Sequence, residues 1–237
     1  ISEEKLYTIK SYIARYEKIA ITCHVSPDGD AIGASLGLYH FLQEMGKQAT
    51  VVIPDMPPRN LTFLSGMRHI IIYTQGAEKA EAALKKAELI FALDFNALNR
   101  IDKLASAFQE AKAAKVLIDH HLAPENFCDV TVSHPKISST SELIFRLIYQ
   151  MGALDRMTLS SADAIYTGMM TDTGNFTYNS NDPEIYYIVA ELVKMGVNKD
   201  RIYTMVCNTQ TANKLLLNSY AICHKMELFP EYGAAMI

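Results

Sequence analysis

The chain has 237 residues, enough for one large or two smaller domains, and its make-up of 49% apolar and 20% charged residues is that of an ordinary globular protein. A net charge of −4 disfavours a surface built to hold long duplex nucleic acid, where lysine and arginine would dominate, but is compatible with a small, metal-neutralised anion. No uncharged apolar run approaches the roughly 18 to 20 residues of a membrane span, no basic-then-apolar leader opens the chain, and the four cysteines form no CxxC pair. The reading is a cytoplasmic protein without membrane contact, disulfide framework or zinc knuckle, whose Cys23, Cys128, Cys207 and Cys223 are buried or inert thiols.

Apolar positions Leu6, Ile9, Ile13 and Tyr16 fall at helical spacing, which predicts an amphipathic helix over Glu3 to Tyr16. A short β-branched run from Ile19 then reads as a buried strand. At its C-terminal end stand His24, Asp28 and Asp30, three potential metal ligands within seven residues, with Pro27 and Gly29 bending the backbone between them. Side chains at Asp28 and Asp30 can diverge toward two neighbouring points, so one loop can serve two cations that share bridging carboxylates. Ordinary turn chemistry accounts equally well for these residues taken alone. The loop is neither an EF-hand, since Tyr39 stands where the twelfth-position glutamate belongs, nor a P-loop, since no Lys-Ser/Thr ending follows.

A helix from about Asp30 to Met45 carries Gly29, Gly33 and Gly37 on one face, predicting close packing on a sheet. Gln48 to Ile53 reads as a second strand, so the chain opens as strand, helix, strand, the start of a parallel sheet. A proline-rich loop, a short strand over His69 to Tyr73 and an alanine-rich helix over Glu78 to Ala87 follow. Then come the strand Leu89 to Asp94, a helix around Asp102 to Ala113, and the strand Lys115 to Asp119. Each strand ends in a carboxylate, so His24, Asp94 and Asp119 fall at three C-terminal strand ends, the edge where open α/β folds place ligands.

His120 and His121 follow Asp119 directly, and at least one is expected to ligate metal. Ser138 to Glu142 has the pattern of a capping box, though a helix N-terminus aimed at the site, with Ser139 and Thr140, can also hold a phosphate oxygen. A helix over Ser160 to Met170 ends at Thr171-Asp172-Thr173-Gly174, where Asp172 is either a turn residue or a further metal ligand. Pro183 to Met195 and Asn198 to Phe229 read as helical and polar-faced, with Gly196 as a break. The closing run Tyr-Gly-Ala-Ala-Met-Ile reads as the first strand of something beyond it. His40, His69, His134 and His224 are isolated and receive no role.

Taken together, His24-x-x-x-Asp28-x-Asp30, Asp94, Asp119-His120-His121 and Thr171-Asp172-Thr173-Gly174 resemble, in order and spacing, the four motifs of the DHH phosphoesterase superfamily. The Ser-Pro-Asp-Gly-Asp-Ala-Ile-Gly context is most similar to its branch of bifunctional oligoribonucleases and 3′-phosphoadenosine 5′-phosphate phosphatases, over roughly Ile19 to Met195. The resemblance implies a DHH catalytic domain over residues 1–195, with a mostly parallel sheet flanked by helices, then a helical linker and the start of a second, DHHA1-type domain over 196–237. It implies two divalent cations, manganese before magnesium or cobalt. One would be held by His24, Asp28 and Asp94, the other by Asp30, Asp94, His120 and Asp172, with Asp94 bridging. Asp119 would orient a histidine, His121 would contact the scissile phosphate or assist the leaving oxygen, and Arg100 would touch substrate.

The expected partners are short oligoribonucleotides and nucleotides as substrates, with a homodimer kept open as the oligomeric state. These motifs leave three alternatives standing: a manganese pyrophosphatase or exopolyphosphatase, a cyclic-dinucleotide phosphodiesterase, and a non-catalytic metal- or nucleotide-binding module.

Overall fold

The computed structural model describes residues 1–237 other than Gln210. The chain runs α1 (Glu3–Arg15), β1 (Lys18–Thr22), α2 (Gly29–Glu44), β2 (Gln48–Ile53), β3 (Ile71–Ile72), α3 (Ala77–Lys86) and β4 (Leu89–Leu93). It continues through α4 (Leu104–Glu110), β5 (Ala114–Asp119), β6 (Val130–Ser133), α5 (Thr140–Gln150), α6 (Leu159–Asp172) and α7 (Pro183–Lys194). The last elements are α8 (Lys199–Cys207), α9 (Ala212–His224), β7 (Glu227–Phe229) and β8 (Ala234–Met236).

The first six strands form one sheet in the order β3-β2-β1-β4-β5-β6, every neighbouring pair parallel. The order reverses between β1 and β4, because β1 pairs with β2 on one side and β4 on the other. Parallel strands need both faces covered, and β4 is accordingly apolar throughout. Its side chains alternate between two cores: Leu89, Phe91 and Leu93 join the helices α2, α5 and α6, while Ile90 and Ala92 join α3 and α4 on the opposite face.

The glycine face of α2 packs against α6, not on the sheet as the spacing alone suggests. A Cβ on Gly33 would lie 2.6 Å from the Ala164 carbonyl oxygen and 2.8 Å from Gly168 Cα, and one on Gly37 would lie 2.6 Å from Ile165 Cγ1. The small residues therefore let two helix backbones touch. The strand near His69 shortens to Ile71–Ile72, and the helix expected from Asp102 begins only at Leu104. β6 goes beyond what the apolar runs predict, since Thr131 and Ser133 alternate with its two valines.

Beyond residue 195, Val197 and Ile202 still belong to the main core. The run predicted as helical through Phe229 instead ends at His224, and β7 pairs antiparallel with β8. The closing apolar run is thus the second strand of a hairpin. α9 buries none of its residues and exposes Leu215, Leu216 and Leu217, so it is not polar-faced. Cys23 is buried and Cys128 half-buried, while Cys207 and Cys223 are exposed free thiols, so burial describes only the first two. Among the described residues, no helix is long and apolar enough to cross a membrane.

Candidate metal centre

The parallel pairing brings the C-terminal ends of β1, β4 and β5 to one edge, at the point where the strand order reverses. His24 follows β1, Asp94 follows β4, and Asp119 ends β5 with His120 and His121 just beyond it. Asp94 takes a left-handed backbone, φ 65°, while its N–H still donates to the Ile118 carbonyl at 3.1 Å. Aspartate tolerates this region better than most residues, and the turn carries its carboxylate off the strand into the centre of the site. Asp28 caps α2 by accepting from the N–H groups of Asp30 and Ala31, both at 3.0 Å. Asp172 arrives from the last turn of α6.

Three overlapping donor groups result, His24–Asp28–Asp94, Asp94–His120–His121 and Asp30–His120–Asp172, and the last two merge through His120, so that two clusters share Asp94. In one, His24 Nε2 lies 3.4 Å from Asp94 Oδ2 and 3.8 Å from Asp28 Oδ1. In the other, His120 Nε2 lies 3.5 Å from Asp94 Oδ1, 3.6 Å from Asp172 Oδ2 and 4.0 Å from Asp30 Oδ2. Donors held at about 2.1 Å from a common cation stand about 3.0 to 3.4 Å apart, so small inward movements suffice for ligation.

The histidine protons agree with this reading. His24 Nδ1 lies 2.7 Å from the Val25 carbonyl, and a carbonyl only accepts, so Nδ1 carries the hydrogen and Nε2 offers its lone pair to the cluster. His120 Nδ1 faces the Ile137 carbonyl at 3.4 Å in the same sense. His121 differs: its Nδ1 lies 2.7 Å from Asp119 Oδ1, which leaves the opposite ring nitrogen free. The two histidines that look equivalent in sequence thus have different partners: His120 Nε2 faces Asp30, Asp94 and Asp172, whereas His121 Nδ1 is bonded to the buried Asp119 and lies 3.8 Å from Asp94 Oδ1.

The charges are arranged to receive cations. Burial, together with the neighbouring Asp94 and Asp172 charges, pushes the Asp30 carboxyl well above the usual carboxylate range. Asp172 is raised to about 6, by burial first and then by Asp94 and Asp28. Burial also presses upward on Asp94, but the His24 hydrogen bond and the charges of His24, His120 and His121 outweigh it and hold Asp94 low. Burial likewise presses the His24 imidazole down, and its bonds to Asp94 and Val25 prevail to raise it. Chiefly through its hydrogen bond to Asp119, His121 is also raised. This carboxylate and imidazole donor set fits a pair of divalent cations. Cys23 adds no thiolate to it, because burial, then the Asp94 charge, pushes the thiol up.

Ser139 and Thr140 lie at this edge but are fully buried. Ser139 caps α5 by accepting from the Glu142 N–H at 3.0 Å, and the Glu142 carboxylate reaches back past the cap to accept from the Ser138 N–H at 3.1 Å, one residue before the position a capping box would use. The α5 amides expected to hold phosphate hold a carboxylate instead: Thr140 and Ser141 N–H donate to the two oxygens of Asp30, at 2.6 and 2.8 Å. The Thr140 hydroxyl donates to Asp94 Oδ1 at 2.9 Å. Sequence spacing could not show this, because 46 residues separate Thr140 from Asp94. Arg100 is exposed, its carbonyl accepts from the Val25 N–H at 2.7 Å, and its charge is felt at His121.

Comparison with known proteins accords with this arrangement. The model of the DHH family, N-terminal domain, matches residues 18–169. The bifunctional oligoribonuclease and PAP phosphatase NrnA of Thermus thermophilus is 34% identical over 195 residues, covering 82% of this chain and 55% of that protein. Its Bacillus subtilis counterpart of the same name is 25% identical over 228 residues, covering 95% of this chain and 67% of that protein. The chain thus spans about half to two thirds of the length of these curated relatives. The crystal structure of an exopolyphosphatase-related protein from Bacteroides fragilis superposes with a TM-score of 0.97 at 46% identity, covering 99% of this chain and 69% of that one. With the family model spanning the sheet and its site-bearing loops from β1 into α6, the chain belongs to the DHH family.

Proposed function

We propose that the chain is the catalytic domain of a divalent-cation-dependent phosphoesterase that hydrolyses short oligoribonucleotides to mononucleotides and 3′-phosphoadenosine 5′-phosphate to AMP. The observation that carries the reading is the sharing of Asp94, whose two carboxylate oxygens face two different donor clusters. His24, Asp28 and Asp94 would hold one cation, and Asp30, Asp94, His120 and Asp172 the other. Carboxylates with one imidazole per cation suit manganese, with magnesium or cobalt as substitutes. When bound, such a pair activates water near neutral pH and neutralises charge gathering on phosphoryl oxygens.

The chain's own groups do the rest. Asp94 sets the spacing of the pair. Asp119 holds His121 in one tautomer and favours its imidazolium, which suits a group that meets the scissile phosphate and protonates the leaving oxygen. Arg100, exposed and electrostatically coupled to His121, suits contact with a second phosphate. Ser139 and Thr140, buried and hydrogen-bonded within the fold, suit positioning of ligands better than contact with substrate.

The names of the Thermus and Bacillus relatives support the nucleotide substrates. A second reading, hydrolysis of pyrophosphate or short polyphosphate, is favoured by the Bacteroides relative described as exopolyphosphatase-related. Turnover of a 5′-phosphorylated diribonucleotide, 3′-phosphoadenosine 5′-phosphate and pyrophosphate by this chain with manganese separates the two. Cleavage of the nucleotides with pyrophosphate left intact is expected. Turnover of pyrophosphate alone favours the second reading, and manganese binding without any turnover would make the chain a non-catalytic module.

A further inference from the structure

One residue joins two of the three carboxylates of the second cluster, Asp30 and Asp94, and leaves Asp172 untouched. The Thr140 hydroxyl donates to Asp94 Oδ1 at 2.9 Å, while its backbone N–H donates to Asp30 Oδ2 at 2.6 Å. These are the carboxylate oxygens that face His120 Nε2, at 3.5 and 4.0 Å. Asp94 Oδ2, by contrast, faces His24 at 3.4 Å on the other side. Thr140 is 0% exposed, so its hydroxyl is shielded from bulk water. The hydroxyl occupies one acceptor position on Oδ1 and leaves the other turned toward the second cluster.

We propose that Thr140 is a positioning residue that selectively builds the second cation site, by pinning Asp94 so that its two oxygens are divided between the two cations. The proposal rests on the two-cation reading above. A carboxylate free to rotate about its last bond can turn both oxygens to one cation and starve the other. The α5 cap prevents that rotation through Thr140, because the bonds of Glu142 to Ser139 and Ser138 and the Asp30 clamp hold the first turn of α5 in place. The amide of Thr140 survives any substitution except proline, so the hydroxyl alone is tested by exchanging the side chain.

The test is manganese binding by T140V, T140S and the unsubstituted chain, followed by titration calorimetry and by the electron paramagnetic resonance signal of an exchange-coupled manganese pair. Thermal denaturation of each metal-free protein checks the fold. The unsubstituted chain and T140S are expected to bind two ions and show the pair signal. T140V is expected to keep the first affinity within about twofold and to lose about tenfold in the second, with the pair signal delayed to higher manganese. Should T140V not fold, T140A reads the same loss of the hydroxyl without a second methyl to accommodate.

Unchanged binding and an unchanged pair signal in the folded variant lacking the hydroxyl would overturn the proposal. So would equal weakening of both ions, or a T140S as weak as T140V. Fewer than two ions on the unsubstituted chain would instead sink the two-cation reading itself.

Discussion

Asp94 is the residue on which the site turns. It is buried, takes φ 65°, and lies between three imidazoles that hold its carboxyl low. Alanine there would confound loss of the charge with backbone strain, so D94N, which tolerates the left-handed conformation, is the cleaner variant. D94N is expected to keep the fold, by circular dichroism, and to weaken both cations by at least about a hundredfold in titration calorimetry. Loss of one cation with the other unaffected would mean that Asp94 does not bridge. The sequence marks this residue only as the carboxylate that ends a strand; the division of its oxygens between two clusters needs the folded chain.

At the scale of elements, the pairing of α2 with α6 carries Asp30 and Asp172 toward each other. Gly33 sits where the two helices touch, and the atoms its Cβ would meet are backbone, which no rotamer change can move aside. G33A should therefore push the helices apart, destabilising the protein by about 1 to 3 kcal/mol in urea denaturation. It should also weaken cation binding, because Asp30 lies on the same stretch of α2. G76A is the steric control: a Cβ there meets nothing closer than Lys79 Cβ at 4.0 Å, so its only cost is that of alanine at the N-cap of α3, about 1 kcal/mol, with cation binding unchanged. A G33A as stable as the parent would show that the helix contact yields more easily than its backbone geometry suggests. The glycine spacing was legible as a small-residue face, but not its partner, since periodicity says which face is small and not what lies against it.

For the whole molecule, the site makes stability depend on pH and on metal together. Asp172 holds its proton up to about pH 6 against an ordinary 3.8, and Asp30 shifts in the same direction, so each contributes stability that is full below 3.8 and lost as pH rises through its folded value. His24 and His121 are raised as well, and their contribution is full below 6.5 and lost above it. Asp94, held low, has the opposite sign, but its window lies below its ordinary 3.8. His40 and His134, which burial lowers, act in the opposite sense below 6.5, but the four raised groups of the site outnumber them, so the chelator-treated protein should melt at lower temperature at pH 7 than at pH 5. Saturating manganese, which needs ionised carboxylates and neutral imidazoles, should reverse that slope, adding about 2.7 kcal/mol at a hundred times its Kd. Scanning calorimetry at pH 5, 6 and 7, with and without manganese, reads both slopes; a chelated protein that gains stability toward pH 7 contradicts the assignment.

By itself the sequence determined the alternation of strands and helices, the parallel sheet and the strand ends on which His24, Asp94 and Asp119 stand, because apolar periodicity and turn residues are local and each strand carries its own signal. It also carries, in order, the motifs around His24, Asp94 and Asp119 that lie within the residues matched by the family model. Tertiary structure alone decided how those residues meet. The helix N-terminus read as a cap that could also take phosphate holds Asp30, the glycine face packs on a helix, and of His120 and His121, adjacent in sequence, only the second is bonded to Asp119. These outcomes depend on contacts between residues far apart in the chain, in which hydrogen-bond partners are chosen by proximity in space, and no local pattern of residues encodes that proximity.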